Sequence, residues 1–287
     1  MKRLALALPG ALGAALAVAS CNGTTGDQII AFPAYAGGAE GASESFSVNG
    51  YTIQLTFAQM YIGAVYLNEA PPGATFNTPV CTNPGVYAAQ VPGGVEVNLL
   101  STAPQKFSVE GTGTADLAQS WELWLTDGDA NNPDNSGFGI PNTVDLQGTA
   151  TREADGAVFT FAATVNINQG NRGVPVTDPS QPGQNPICKQ RIVALGGISL
   201  QLFPGGSLLV TIEPRGWFNL PIDFSTLPPV ASDECELDTQ PVYGDAQYCI
   251  PDTNGATGLG AIQGRNLYTG IFTGGPAAYA ISYSTGP

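Results

Sequence analysis

The sequence predicts an all-β fold, and its simplest form is one antiparallel β-sandwich with long loops. Many short segments alternate apolar and polar residues with a period of two, which is typical of strands with one buried face. Turns rich in glycine and proline separate these segments, and the chain contains 37 glycines and 23 prolines. No window shows a convincing helical period of 3.6 residues, so we do not expect helices to build the core.

The predicted strands follow one another from about residue 45 onwards. Tyr51–Phe57 alternates cleanly, and Met60–Leu67 continues the pattern with Gly63 as a candidate bulge. Further alternating stripes lie at 95–99, 121–125, 144–146, 159–167, 198–202, 208–212, 267–271 and 279–283. The Phe203–Gly206 turn predicts a hairpin between the two runs that flank it. Gly170–Asn185 and the segment 225–264 are predicted loops.

The first 21 residues have the features of a secretory signal peptide. Lys2 and Arg3 give a basic start, Leu4–Val18 is a short and mainly apolar run, and small residues lead to Cys21. Val18–Cys21 resembles the lipobox of bacterial lipoproteins. The resemblance implies cleavage after residue 20, acylation of Cys21 and attachment to a membrane. Ordinary cleavage, with Cys21 left free or paired, is the alternative.

The predicted division of the chain is therefore a signal peptide at 1–20, a flexible tether at 21–44 and one β-sandwich-like domain at 45–287. The residues from 22 to 44 are mostly small and polar, which is typical of a linker. Ile29, Ile30 and Phe32 interrupt them, so a first strand inside the tether is an open alternative.

The lipobox resemblance and the charge together predict the surroundings of the protein. The resemblance implies the bacterial cell envelope, and Asn22 after the cysteine favours the outer over the inner membrane. Removal of Lys2 and Arg3 with the signal peptide changes the formal net charge from −14 to −16. Such a charge argues against nucleic acid and against adsorption on anionic lipid. The expected partners are the membrane, through the lipid, and a glycan or protein of the envelope.

The chain contains no histidine, which excludes nucleophile activation by imidazole and the usual zinc, copper and iron sites. Beside Cys21 there are four cysteines, an even number that predicts two structural disulfides in an oxidising compartment, with free buried thiols as the alternative. The even number of these cysteines, and the short separation of two of them along the chain, favour the pairs Cys235–Cys249 and Cys81–Cys188. The first pair closes a loop of about 15 residues.

Asp127–Asn135, named here the acidic loop, follows a predicted strand and is the candidate metal site. Its candidate ligands are Asp127, Asp129, Asn131 and Asp134. Calcium prefers six to eight oxygen ligands, which alternating Asp and Asn side chains in a turning loop can supply. An EF-hand is excluded, because Asn132 occupies its glycine position and Phe138 its terminal glutamate position. A solvated turn without metal is the alternative.

Two carboxylates beside aromatic residues are candidates for polysaccharide hydrolysis. Glu122 alternates with core residues on its strand, so we expect it to face outward with Trp124. Trp124 is the candidate ligand-binding residue, because an exposed indole beside acids can stack on a sugar. Asp223 follows Trp217–Phe218, an aromatic pair that we expect to anchor a strand end in the core.

These features favour a binding or structural role over catalysis. The sequence contains no nucleophile motif, phosphate-binding loop or dinucleotide fingerprint. Two alternatives stay open: a carboxylate-dependent polysaccharide hydrolase, and a subunit of a surface or secretion assembly.

Overall fold

A computed structural model describes residues 28–71, 87–125, 143–165, 191–193, 197–227, 248–250, 263–264, 266–267, 269–271 and 278–286. Within these ranges most residues belong to β-strands, arranged in three larger sheets and one two-stranded ribbon. The prediction of an all-β, sandwich-like fold is confirmed. Among the described residues, no helix has the length and apolar character needed to cross a membrane.

Sheet 1 is antiparallel throughout. Its strands, in spatial order, are β1 (Ile29–Phe32), β9 (Gly111–Thr114), β6 (Tyr87–Val91), β5 (Ala64–Asn68), β11 (Ser120–Trp124) and β14 (Arg191–Val193). The ribbon consists of β10 (Leu117–Ala118) and β15 (Leu200–Gln201).

Sheets 2 and 3 each contain one parallel pairing among antiparallel ones. The strands of sheet 2 are β17 (Tyr248–Ile250), β13 (Val158–Val165), β12 (Val144–Arg152), β4 (Tyr51–Ile62) and β3 (Phe46–Val48), with β7 (Val95–Asn98) also on β4. The strands of sheet 3 are β18 (Tyr279–Ser284), β16 (Ser207–Ile212), β2 (Ala34–Gly38) and β8 (Gln105–Lys106). The parallel pairs are β13 with β17 and β16 with β2.

One continuous core joins the three sheets. It contains Ile30 from sheet 1, Leu146 from sheet 2 and Leu208 from sheet 3, all at most 3% exposed. The chain passes from sheet 2 to sheet 1 at the buried Gly63, between β4 and β5. Gly63 is thus the point at which the chain changes sheet. The register shifts lie elsewhere, between Leu67 and Asn68 in the pairing of β5 with β6 and between Gln147 and Gly148 in the pairing of β12 with β4.

β1 and β2 lie inside the segment 21–44, so the structure supports the alternative of a first strand within the predicted tether. Phe32 and Ala36 are buried in the main core, so this part of the chain is structural. Gly38 packs so closely on the backbone of Leu99 that a Cβ at this position would collide with it. Small residues here allow close packing of strands, a pattern that composition alone does not distinguish from a linker.

The stripe at 267–271 was predicted to be a strand, but the described residues between 263 and 271 are helical. Gln263, Leu267 and Ile271 are spaced by four and all are buried, so they share the inner face of this turn of helix. Leu267, Thr269 and Ile271 also fit a period of two, which is why the short segment was ambiguous.

The hairpin predicted around Phe203–Gly206 is also wrong. The turn is present, and Gly205 adopts a positive φ of 80°. The strands beside it, however, belong to different sheets: β15 pairs with β10, and β16 pairs with β18 and β2. A tight turn shows where the chain reverses, and tertiary packing decides which strand becomes the partner.

Candidate functional site

Glu122 lies at the centre of β11 and is buried. Its register partners are Tyr66 on β5 and Val193 on β14. Its neighbours Trp121 and Leu123 enter the main core, so Glu122 occupies the opposite face of sheet 1, as the alternation predicted. The expectation that it would be exposed there is wrong, because only 2% of its surface is accessible.

A second, small hydrophobic cluster explains this burial. Ala64 and Tyr66 are buried on the outer face of sheet 1, and Tyr87 packs against them. The rings of Tyr66 and Tyr87 lie 4.8 Å apart with a tilt of 45°. Burial raises the pKa of Tyr66 to about 12, and the charge of Glu122 adds to the shift. Tyr66 therefore stays protonated at neutral pH and can act as a hydrogen-bond donor.

The same outer face contains buried polar residues that the sequence pattern does not reveal. Asn68 is fully buried, and its register partner on β11 is Ser120. The Ser120 hydroxyl donates to the carbonyl of Ala70 at 2.6 Å. Among the residues that the structure describes, neither the side-chain nitrogen nor the side-chain oxygen of Asn68 has a hydrogen-bond partner. A buried group without a partner costs about 1–3 kcal/mol, which makes Asn68 a notable feature of this face.

Trp124, the predicted ligand-binding residue, is described only through its backbone. It ends β11, two residues after Glu122, and its register partners are Ala64 and Arg191. Its side chain lies outside the described structure, so sugar stacking by Trp124 stays a prediction.

Asp223, the second candidate carboxylate, is held by hydrogen bonds within the fold. Its Oδ1 accepts from the Tyr51 hydroxyl at 2.6 Å, from the Ser225 hydroxyl at 2.6 Å and from the Ser225 backbone N–H at 3.0 Å. The bond from the Ser225 hydroxyl, followed by that from Tyr51, lowers the pKa of Asp223. Asp223 therefore stays ionised at neutral pH, which suits an acceptor and does not suit a general acid.

The position of Asp223 is that of a helix cap. It precedes the 3-10 helix Phe224–Thr226, and its bond from the Ser225 backbone satisfies a free N–H there. Its own N–H donates to Gln263 at 3.0 Å, and the Gln263 amide donates to the hydroxyl of Thr226 at 3.2 Å. These bonds join the cap to the helical turn that carries Gln263.

Trp217 and Phe218 lie in a second 3-10 helix, Pro214–Asn219, and are 0% and 1% exposed. The Phe218 ring contacts those of Phe46 at 5.5 Å and Phe161 at 6.3 Å between centroids. The aromatic pair is buried in the core, as expected, but it lies in a 3-10 helix and not at a strand end.

The two candidate carboxylates belong to different parts of the fold. Glu122 lies on the outer face of sheet 1, away from the main core. Asp223 is bound to Tyr51, whose ring lies in that core and contacts Phe159 and Phe224. The two carboxylates therefore lie in different surroundings, one beside Tyr66 on an outer sheet face and the other at a helix cap.

The remaining predicted sites lie outside the described residues. These are Cys21, the acidic loop with its candidate ligands Asp127, Asp129, Asn131 and Asp134, and the cysteines Cys81, Cys188 and Cys235. Cys249 is described only through its backbone, as a residue of β17 opposite Ala162. In the part of the chain that is described, no group of three or more Cys, Asp or Glu side chains could hold a metal ion.

The chain was compared with family models, curated proteins and solved structures, and none of them matches.

Proposed function

We propose that this chain is a lipid-anchored protein of the bacterial cell envelope, attached through Cys21, with a binding or structural role. The lipobox-like Val18–Cys21 supports the anchor, and Asn22 favours the outer membrane. The mature charge of −16 favours a neutral glycan or a protein as partner.

The lowered pKa and the hydrogen bonds of Asp223 are the observation that favours a binding role over hydrolysis. A general acid must hold a proton near neutral pH, and a nucleophile must be free to reach the substrate. Asp223 has a lowered pKa, and three donors converge on its Oδ1. The cap accounts for the bonds from Ser225, and the Tyr51 hydroxyl binds the same oxygen from β4.

Trp124 is the residue that we associate with ligand binding, because an indole beside acids can stack on a sugar. Tyr66, Glu122 and Asn68 on the outer face of sheet 1 are 6%, 2% and 0% exposed, so we assign them no part in this binding.

The anchor is tested by fractionation and mass spectrometry. We expect the mature wild-type protein to carry acyl chains on Cys21 and to remain with membranes, and Cys21→Ser to move to the soluble fraction. Two or three acyl chains anchor a protein stably, whereas one gives marginal binding. A membrane form without acyl mass would refute the lipid anchor.

The binding role is tested against hydrolysis with envelope and plant polysaccharides and a reducing-sugar assay. We expect no turnover by the wild type, Glu122→Gln or Asp223→Asn. Glu96→Gln is the matched control, because Glu96 is an exposed acid on β7. Turnover that disappears in Glu122→Gln or Asp223→Asn but persists in Glu96→Gln would replace binding with hydrolysis.

A further inference from the structure

The folded domain begins close to the proposed lipid along the chain. The carbonyl of Gln28 accepts a hydrogen bond from the backbone N–H of Ala115 at 2.8 Å, so the chain is held to sheet 1 from this residue onwards. Seven residue steps separate Cys21 from Gln28. Even a fully extended chain of this length spans at most about 25 Å. An acylated Cys21 therefore keeps Gln28 within about 25 Å of the bilayer surface.

Gln28, Ile29 and the Thr114–Asp116 corner together form what we call the anchor end. Ile29 pairs with Thr114 in the register of β1 and β9. The Asp116 backbone N–H donates to the carbonyl of Thr114 at 2.8 Å, which closes the corner. The anchor end is thus part of the hydrogen-bonded sheet, so its orientation is that of the domain.

Ile29 is the most exposed large hydrophobic side chain among the described residues. Its exposure is 84%, compared with 59% for Val158 and 41% for Val109. The alternation of β1 buries Ile30 and Phe32 and turns Ile29 outward. An isoleucine in this position would gain from contact with the headgroup and acyl boundary of a bilayer, because its apolar surface would leave water.

The size of the domain limits how it can be oriented. β4 has 12 residues, and a strand of this length spans about 40 Å. If Gln28 lay as far above the bilayer as the full length of such a strand, the segment from Cys21 to Gln28, which spans at most about 25 Å, would be too short to connect it to the lipid. The short connection therefore selects orientations in which the anchor end is near the lipid.

The negative charge of the chain does not oppose this orientation strongly. At physiological ionic strength the Debye length is about 8 Å, so only charges close to the headgroups are repelled effectively. Asp27 precedes Gln28 in the sequence, and the described residues of the anchor end, 28–29 and 114–116, include one further carboxylate, Asp116. Its Oδ1 accepts a hydrogen bond from the backbone N–H of Leu117 at 2.6 Å.

We propose that the anchor end is a membrane-facing surface, with the Ile29 side chain against the headgroup region of the bilayer that holds the lipid. This inference rests on the proposed acylation of Cys21.

The experiment compares two labelled positions on the acylated protein. Ile29→Cys and Val158→Cys each introduce a thiol at an exposed hydrophobic position, and each is labelled with the same environment-sensitive dye. The proteins are reconstituted in phosphatidylethanolamine–phosphatidylglycerol vesicles with brominated acyl chains, which quench nearby dyes. Intact mass of the same samples reports acylation, and melting curves of both variants report folding.

We expect at least twofold stronger quenching at position 29 than at position 158. Equal quenching at the two positions in acylated protein, or stronger quenching at position 158, would overturn the proposed orientation and leave the lipid anchor standing. A mass without acyl chains would overturn both, so the two failures are distinguishable.

Discussion

Gly38→Ala tests whether the segment predicted as a tether is a packed strand. An alanine Cβ at position 38 would lie 2.6 Å from the carbonyl carbon of Leu99, and nearer still to its oxygen. Carbon atoms in contact normally lie about 3.5–4.0 Å apart, so the backbone would have to move by about 1 Å. Gly37→Ala is the matched control, because its nearest contact would be 3.5 Å from the carbonyl oxygen of Ala103.

The cost of Gly38→Ala follows from what holds the two backbones together. The Gly38 N–H donates to the carbonyl of Ser101 at 2.9 Å, and the Leu99 N–H donates to that of Ala58 at 2.8 Å. Overpacking costs about 1–3 kcal/mol, and each weakened backbone hydrogen bond costs about 1 kcal/mol. We therefore expect Gly38→Ala to lower the free energy of unfolding by about 3 kcal/mol.

The assay is thermal unfolding of a soluble chain that begins at Asn22, followed by circular dichroism. A loss of about 3 kcal/mol corresponds to a Tm lower by roughly 6–12 °C for a domain of this size. Gly37→Ala should change the stability by less than about 1 kcal/mol, and a small gain is expected because alanine restricts the unfolded chain. Equal Tm values for the two variants would refute the packing of β2 on Leu99 and restore the tether.

Four further predictions concern other parts of the chain. Tyr51→Phe should lower the unfolding free energy by roughly 0.5–1 kcal/mol at pH 7, since it removes a partly solvent-screened hydrogen bond to Asp223. Because the pKa of Asp223 is lowered in the folded state, this contribution is present above its unfolded pKa of about 3.9 and is lost as the pH falls further. The unfolding free energies of the wild type and Tyr51→Phe, measured by denaturant titration, should therefore converge at low pH. Asn68→Leu should raise stability by about 1 kcal/mol, because its buried amide has no hydrogen-bond partner among the described residues; a loss of stability in urea titrations would contradict this. Non-reducing peptide mapping should find Cys235 joined to Cys249, and a peptide joining either to another cysteine would reject the pairing. Millimolar Ca²⁺ should raise the Tm relative to chelator if the acidic loop binds it, and an unchanged Tm would leave the turn interpretation.

The strand content was predictable because alternation is a property of the extended backbone. In β4, Tyr51, Ile53 and Leu55 are buried, while Thr52 and Gln54 between them are partly exposed. Such a stripe follows from the two-residue period alone. The same period correctly placed Glu122 on the face of β11 opposite Leu123.

The exposure of Glu122 was not predictable from the same pattern. Alternation separates the two faces of a strand, but it does not say whether a second layer covers the outer one. The cluster of Ala64 and Tyr66 comes from another strand, and only the pairing of β5 with β11 brings it beside Glu122. Asn68 gave no signal either, since an asparagine at a strand end is typical of an ordinary turn.

By itself the sequence determined the all-β class, the face on which Glu122 lies and the burial of Trp217 and Phe218. Each of these depends on local periodicity or on the hydrophobicity of the residues involved. Only the tertiary structure decided that β1 and β2 belong to the domain and that β16 pairs with β2 and β18. It also decided that Asp223 is a cap bound by Tyr51, 172 positions away in the chain. These features depend on contacts between distant segments, and a short window of sequence does not contain their partners.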